Sequence, residues 1–241
     1  MIDQECSSAT ILEQITEIPK QSVIYLACKR CFDFIVSLCA SILLVIPLLI
    51  LALIIMIKDP GNPFYVQKRV GQDGKVLKIA KLRSMKKGAD HLEEMLTSEQ
   101  LEQYLKDYKL EDDPRLIGYG KDGDGSKGRC FGAFLRRASL DELPQIVWNI
   151  FIKGDMSVVG PRPILPDELT ENYTPEEQKL FLSVKPGLTG YWQAYARNNV
   201  GYEEHRRQDM ELYYIKNARF LLDIRIILKT VGTVIHKTGA K

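Results

Sequence analysis

The chain of 241 residues can bury one substantial hydrophobic core, but it leaves little room for two full domains beside its long apolar segment. Its formal net charge of +2 is too close to zero to indicate a nucleic-acid-binding protein, so no nucleic-acid partner is predicted. Its five cysteines form an odd set with three in or beside the apolar segment, which argues against a disulfide framework and favours a reducing compartment.

The apolar segment covers residues 34–57 and carries no charge, with Asp33 before it and Lys58 after it. As a helix these 24 residues span about 36 Å, enough to cross a hydrocarbon core of about 30 Å. Pro47 lies near the middle, where it removes a backbone hydrogen bond and bends the helix. Because basic residues flank both ends, the positive-inside rule does not separate the two sides. A kinked spanning helix and a re-entrant hairpin both fit this pattern.

The first secondary-structure elements predicted after this segment are short and are separated by turn signals. Phe64 to Val70 and Val76 to Leu82 are predicted strands around a Gln72-Asp73-Gly74 turn, which indicates a small hairpin. Residues 91–110 show the pattern of one or two exposed amphipathic helices. The glycine-rich stretch from Gly118 to Gly128 is predicted to be a loop, and no chemistry is assigned to it.

Helical patterns dominate the rest of the chain. We predict a buried helix over residues 142–152 and a short helix over Pro175 to Leu182, with proline at its first position. Residues 203–236 form an amphipathic, basic pattern that either packs on the core or lies on a membrane surface. The predicted fold class is therefore mixed α/β and mostly helical, with amphipathic surface helices.

The segment from Phe134 to Gln145 carries the sharpest chemical signal. Adjacent carboxylates, Asp141 and Glu142, follow a pair of arginines at a predicted helix start, with Asp141 as the N-cap. The free N–H groups and positive dipole at such a position attract phosphate. In the competing interpretation the acids only cap the helix, with Ser139 and Glu142 forming a capping box.

Charge around this segment favours the phosphate interpretation. Nine lysines and arginines lie between residues 58 and 87 against two acids, and Arg136 and Arg137 directly precede the carboxylates. A helix cap does not need such a cationic surround, whereas phosphate-bearing substrates do.

Several ordered motifs make the chain similar to a known family. They are Lys29-Arg30-Cys31-Phe32-Asp33, Gln67-Lys68-Arg69-Val70-Gly71, Lys81-Leu82-Arg83-Ser84-Met85, Ser139-Leu140-Asp141-Glu142-Leu143-Pro144-Gln145, Lys153-Gly154-Asp155-Met156-Ser157, Gly160-Pro161-Arg162-Pro163 and Lys185-Pro186-Gly187-Leu188-Thr189-Gly190. With these motifs the chain resembles the bacterial sugar transferases grouped as monotopic phosphoglycosyl transferases, from Lys29 almost to the C-terminus.

The resemblance implies a re-entrant membrane helix broken at a proline and a catalytic domain on the cytoplasmic face of the bacterial inner membrane. It divides the chain into an N-terminal extension (residues 1–28), the membrane helix (29–59) and the catalytic domain (60–241). It also implies that Asp141 attacks a UDP-sugar, releases UMP and holds the sugar phosphate until undecaprenyl phosphate accepts it. Such a reaction opens the synthesis of a cell-surface glycan. The identity of the sugar and the oligomeric state stay open, and the basic C-terminal helix is a conceivable homodimer interface.

The resemblance also suggests roles for individual residues. Asp141 and Glu142 form the catalytic dyad and hold Mg²⁺. The candidate substrate-binding residues are Arg136, Arg162, Arg197, Lys81, Arg83, Gln193 and Asp155. The chain departs from the family pattern at the glycine-rich stretch, at Leu82 and at Ala196-Arg197-Asn198, which affects the expected nucleotide contacts but not the dyad. The main alternative is a membrane-anchored, non-catalytic adaptor whose basic block binds anionic lipid.

Overall fold

The computed structural model describes residues 21–107, 110, 112–120, 130–196 and 205–235. In chain order its helices and strands are α1 (Val23–Lys58), β1 (Phe64–Val70), β2 (Val76–Leu82), α2 (Leu92–Met95), α3 (Ser98–Asp107), α4 (Phe131–Arg137), a 3₁₀ turn (Leu140–Glu142), a π-helix (Ile146–Lys153), β3 (Ser157–Val159), α5 (Pro166–Asn172), α6 (Pro175–Leu182), β4 (Gly187–Thr189), α7 (Tyr191–Tyr195), α8 (Arg206–Lys216) and α9 (Phe220–Ile235). The fold is mixed α/β and mostly helical, as the sequence predicts.

The described residues divide into two compact units. The first unit contains residues 21–38, 68–79, 149–196 and 205–235, and the second contains 39–67, 80–107, 110, 112–120 and 130–148. The paired strands β1 and β2 form a hairpin whose turn belongs to the first unit and whose open end belongs to the second. Each unit has its own hydrophobic cores, because the buried clusters fall within one unit or the other.

Helix α1 is the helix in the described part of the chain that is long and apolar enough to cross a bilayer. It begins at Val23, before the predicted membrane segment, and Pro47 lies inside it. Large apolar side chains along it are exposed, including Ile42, Leu43 and Ile46 at 66–75%. A soluble core helix would bury these side chains, so their exposure indicates association with a membrane.

The first unit is built around the parallel pair β3–β4, in which Ser157 lies opposite Gly187 and Val159 opposite Thr189. Helices α5 to α9 contribute to a core next to these strands, with Leu169, Phe181, Leu212 and Ile226 among its buried members. The predicted helix over Pro175–Leu182 is confirmed. Its start is stabilised by a capping box between Thr174 and Glu177, with proline at the first position.

The second unit packs one face of α1 against its own core. Leu48 and Ile55 of α1 are buried with Leu82, Ile117 and Leu135. The two predicted strands are confirmed with their predicted boundaries. The region 91–110 contains the two short helices α2 and α3, in agreement with the predicted pattern.

Two helical predictions need correction. The pattern over residues 203–236 is not continuous, because α8 ends at Lys216 and α9 begins at Phe220. Both helices bury apolar residues in the first-unit core, including Tyr214, Ile215 and Ile226. The helix predicted over residues 142–152 has a different form, because a 3₁₀ turn closes at Glu142 and the π-helix runs over Ile146–Lys153.

Candidate active site

A sharp turn in the second unit presents Asp141. Helix α4 ends at Arg137, and Ser139 takes the left-handed conformation with φ 54°, which reverses the chain before the 3₁₀ turn. Leu140 and Leu143 pack against the core that contains Leu48 and Ile55, and this anchors both ends of the turn. The position of Asp141 therefore depends on the apolar residues on either side of it.

The predicted N-cap role of Asp141 is wrong, because Asp141 lies within the 3₁₀ turn and Ser139 takes the capping position. The competing capping box is also not formed. The Ser139 side chain accepts no capping hydrogen bond, and the Glu142 amide N–H donates to the backbone oxygen of Ser139 at 3.3 Å. The two carboxylates are thus not explained as helix caps.

Four charged side chains lie around this turn. Asp141 is only 8% exposed, and burial raises its pKa to about 6, with a further upward contribution from Glu142. Lys81 and Arg136 oppose that rise through their positive charges. Lys81 Nζ also lies 3.4 Å from Glu142 Oε1. The structure therefore brings together both predicted dyad residues and two of the predicted substrate-binding cations.

Arg83 has a different setting in the same unit. Its guanidinium pairs with the Asp59 carboxylate and also donates to the Asp59 carbonyl oxygen, just beyond the end of α1. The Lys87 amide N–H donates to the same carboxylate at 3.3 Å. Arg83 therefore links the residue that follows α1 to the end of β2.

The first unit holds three other candidates. Asp155 Oδ1 accepts a hydrogen bond from Asn149 Nδ2 at 3.0 Å. Gln193 Nε2 donates to the Leu188 carbonyl oxygen at 3.2 Å. The Arg162 amide N–H donates to Glu211 Oε1 at 3.3 Å, and the Arg162 guanidinium lies over an aromatic ring. Arg197 lies outside the described residues.

Two buried acids of the first unit were missed by reasoning from the sequence. Glu211 is 1% exposed, and burial raises its pKa to about 7 against the opposing charges of Arg207 and Arg162. Asp223 is 2% exposed and binds Tyr25, Lys29 and Tyr214. The available signal was the register of each acid among the apolar positions of a helix, which places it on the buried face.

Among the described residues, no group of three or more His, Cys, Asp or Glu side chains is placed to hold a metal ion. Asp141 and Glu142 are a pair of adjacent acids. Mg²⁺ is often held by one or two carboxylates together with substrate phosphates, so the pair fits a metal shared with a substrate.

Comparison with known proteins places these features in a family. The sequence pattern described as "Bacterial sugar transferase" matches residues 24–237. The UDP-galactose-lipid carrier transferase of Erwinia amylovora is 38% identical over 95% of this chain and 44% of its own length. The undecaprenyl-phosphate galactose phosphotransferase of Salmonella typhimurium is 38% identical over 88% of this chain and 41% of its own length.

A shorter relative aligns over most of both chains. The exopolysaccharide production protein ExoY of Sinorhizobium fredii is 37% identical over 88% of this chain and 87% of its own length. By contrast, the chain spans less than half the length of the Erwinia and Salmonella relatives. Since the family pattern covers nearly all of the chain and includes the Asp141 turn, the chain belongs to the bacterial sugar transferase family.

Proposed function

We propose that the protein is a phosphoglycosyl transferase that moves a sugar-1-phosphate from a UDP-sugar to undecaprenyl phosphate. The observation that carries the proposal is the Asp141 turn, where a buried carboxylate with a raised pKa lies beside Glu142, Lys81 and Arg136. Family membership supports the reaction class, and the names of the Erwinia and Salmonella relatives support both substrates.

Asp141 is the proposed nucleophile. Its carboxylate oxygen bonds to the sugar-bearing phosphorus of the donor as the bond from that phosphorus to the bridging oxygen breaks, and UMP leaves with the electron pair. An oxygen of undecaprenyl phosphate then bonds to the same phosphorus, and the aspartyl oxygen leaves as a carboxylate. The covalent step divides one displacement between two anionic substrates into two steps.

Positive charge is needed to bring anions to a carboxylate. In the proposal Asp141 and Glu142 would hold Mg²⁺, which supplies charge stabilisation to the donor diphosphate. Lys81 and Arg136 stabilise further negative charge at the same turn. Burial excludes water from the nucleophile, which strengthens these electrostatic interactions.

Residues elsewhere in the chain have proposed roles in substrate recognition. Arg162 and Arg197 are proposed to bind phosphate groups of the substrates, with Gln193 and Asp155 contributing on the donor side. Arg83 is also proposed to contribute to substrate binding. Because its guanidinium pairs with Asp59, it is proposed to do so by fixing the position of the hairpin.

The membrane helix defines where the reaction would occur. We place α1 in the inner membrane as a re-entrant helix bent at Pro47, with the catalytic part on the cytoplasmic face. The exposed apolar side chains of α1 support membrane association, and a polyprenyl acceptor requires it. The product would enter the synthesis of a cell-surface glycan such as an exopolysaccharide, as the name of the ExoY relative suggests.

A transfer assay tests the reaction class and the donor together. Membranes that carry the protein are supplied with Mg²⁺, undecaprenyl phosphate and a panel of radiolabelled UDP-sugars, and the labelled lipid and UMP are measured. We expect Asp141→Asn to lower turnover by at least about 10³-fold, because the amide cannot form the acyl phosphate. Exposed Asp90 provides the matched control, and Asp90→Asn should retain wild-type turnover.

Two outcomes would contradict the proposal. Full turnover by Asp141→Asn would remove Asp141 from the nucleophile role. Absence of lipid-linked product with every UDP-sugar, combined with binding to vesicles of anionic lipid, would favour the non-catalytic adaptor instead. Topology is tested separately by the accessibility of a tag at Met1, because an external N-terminus would exclude the re-entrant arrangement.

A further inference from the structure

Trp192 contacts two arginines in the first unit. It lies in α7 and is 4% exposed. The guanidinium carbon of Arg207 lies over its ring, 4.3 Å from the centroid, and that of Arg162 lies over the ring at 5.6 Å. Both distances are within the range in which a cation is attracted to the face of an aromatic ring.

The two arginines differ in their surroundings. Arg207 is 6% exposed, and its Nη1 lies 3.9 Å from Glu168 Oε1, so it is part of the interior of the unit. Arg162 is only partly buried and belongs to the Gly160-Pro161-Arg162-Pro163 loop after β3. Of the two, Arg162 is the more accessible arginine, and its charge also acts on the buried Glu211 carboxylate.

The backbone around Arg162 is firmly held. Its amide N–H donates to buried Glu211, and the carbonyl oxygen of Pro161 accepts a hydrogen bond from the Gly187 amide N–H at 2.9 Å. The two flanking prolines restrict the backbone further. The Arg162 side chain also contacts the Trp192 ring, and this contact helps to fix the position of the guanidinium.

A contact between guanidinium and ring is compatible with phosphate binding. An aromatic ring interacts with the face of the guanidinium, whereas phosphate is bound by the N–H groups at its edge. A side chain that is already ordered on a ring also loses less conformational entropy when an anion binds.

We propose that Trp192 is a positioning residue that holds the Arg162 guanidinium ready for an anionic group of the nucleotide-sugar donor. The inference rests on the proposed function, because it assigns a donor contact to Arg162. In this arrangement, affinity for the donor depends on the Trp192 ring, although the ring does not touch the reacting atoms.

Steady-state kinetics with the full-length protein in membranes tests the proposal. We expect Trp192→Leu to raise the KM for the UDP-sugar roughly tenfold, because a cation–π contact contributes up to about a tenfold difference in affinity. The kcat should stay within about twofold of wild type. Trp192→Phe keeps an aromatic face and should restore most of the affinity. Trp148 is 44% exposed, and Trp148→Phe is the control that should leave both constants unchanged.

Fluorescence gives a second measurement that needs no turnover. The chain has two tryptophans, so Trp148→Phe leaves Trp192 as the sole tryptophan reporter. Titration of this full-length variant with UDP and Mg²⁺ should change the Trp192 emission in a saturable way. Arg162→Met, added to the same background, should weaken that response roughly tenfold or more. This measurement decides the question if Trp192→Leu fails to fold.

The inference and the proposed function fail in different ways. An unchanged KM in Trp192→Leu, or a fluorescence response that does not depend on Arg162, would overturn the positioning role while the wild-type protein still made lipid-linked product. An equal loss of kcat in the Leu and Phe variants with no change in KM would also overturn it. Absence of product from wild-type protein would instead reject the proposed function.

Discussion

Asp141 and Asp223 are both buried acids, but their environments differ. Asp223, in the first unit, is 2% exposed and accepts hydrogen bonds from Tyr25 (2.9 Å), Lys29 (2.9 Å) and Tyr214 (2.7 Å). Asp141, in the second unit, is 8% exposed, and among the described residues no other side chain donates a hydrogen bond to it. Lys81 and Arg136 act on Asp141 through charge instead.

The contrast separates a structural acid from a candidate reactive acid. Asp223 joins α1, α8 and α9, because Tyr25 and Lys29 belong to α1 and Tyr214 to α8. Burial raises the pKa of the Tyr214 hydroxyl well above its usual value, and the charge of Asp223 raises it further. The pKa of Asp141 is raised instead, because the positive charges of Lys81 and Arg136 only partly offset the effect of burial. A carboxylate with a raised pKa is common at reactive sites.

The largest expected effect comes from breaking the Asp223 network. Asp223→Asn removes the carboxylate that pairs at 2.9 Å with the Lys29 ammonium, which is 15% exposed and then keeps its charge interaction with Asp33. Removal of one partner from a buried ion pair typically costs about 3–5 kcal/mol, and we expect unfolding to become easier by about 3 kcal/mol. Thermal unfolding of detergent-solubilised protein measures the change.

Two further variants test the cause of that loss. Addition of Lys29→Met to Asp223→Asn should recover part of the stability, because it removes the ammonium that has lost this partner. The exposed residue Asp209 lies in α8, and Asp209→Asn should leave the unfolding temperature within about 1 °C of wild type. If Asp223→Asn were equally harmless, Asp223 would not be the structural member of the comparison.

An opposite stability change is expected at Asp141. Its folded-state pKa of about 6 is above the ordinary value of 3.8, so the folded state binds protons more tightly than the unfolded state. Stability therefore falls as pH rises from about 4 to 6 and stays level above that range. Asp141→Asn removes the buried charge, and we expect it to stabilise the protein by about 1–3 kcal/mol at pH 7.5.

The pH dependence separates this effect from a general improvement in packing. The advantage of Asp141→Asn should shrink as the pH falls through 6 and become small at pH 4, because the folded-state aspartate is then protonated and the unfolded-state aspartate is partly protonated. Unfolding temperatures measured across this pH range test it. A stability gain that was the same at pH 4 and pH 7.5 would show that the charge of Asp141 is not its cause.

A smaller loss of stability is expected from removal of a single hydrogen bond in the Asp223 network. Tyr25→Phe removes one of the three hydrogen bonds to Asp223 and keeps the ring, so we expect a loss of about 1 kcal/mol. Tyr195 is 45% exposed, and Tyr195→Phe is the matched control with an expected effect near zero. A loss for Tyr25→Phe as large as that of Asp223→Asn would mean that Tyr25, rather than Lys29, dominates the network.

Local sequence signals were most reliable where local chemistry decides the structure. The hairpin strands were predicted with their boundaries, because chain breaks on either side and the Gln72-Asp73-Gly74 turn signal define them locally. Helix α6 was equally predictable from Thr174, Pro175 and Glu177. By contrast, one regular helix was expected over residues 142–152, whereas the chain forms a 3₁₀ turn at Leu140–Glu142 and a π-helix over Ile146–Lys153, and the contacts of Leu140 and Leu143 with a distant core are not visible in the local sequence.

The candidate site shows the same division. The Asp141–Glu142 pair and its basic surroundings were visible as a linear motif, whereas the pairing of Arg83 with Asp59 and the contacts of Trp192 were not. A lone arginine has the same appearance in a sequence whether it binds phosphate or an acid. Its partner depends on which distant segment packs against it.

The sequence alone determined the long apolar helix, the mostly helical mixed fold and the family, because these follow from composition, periodicity and ordered motifs read along one chain. Only the tertiary structure decided which acids are buried and how each is compensated. Asp141 and Asp223 both follow a leucine in the chain, yet one lacks donors from other side chains among the described residues and the other has three. That difference arises because burial and hydrogen bonding depend on residues far apart in sequence, such as Lys29 and Tyr214, that folding brings together.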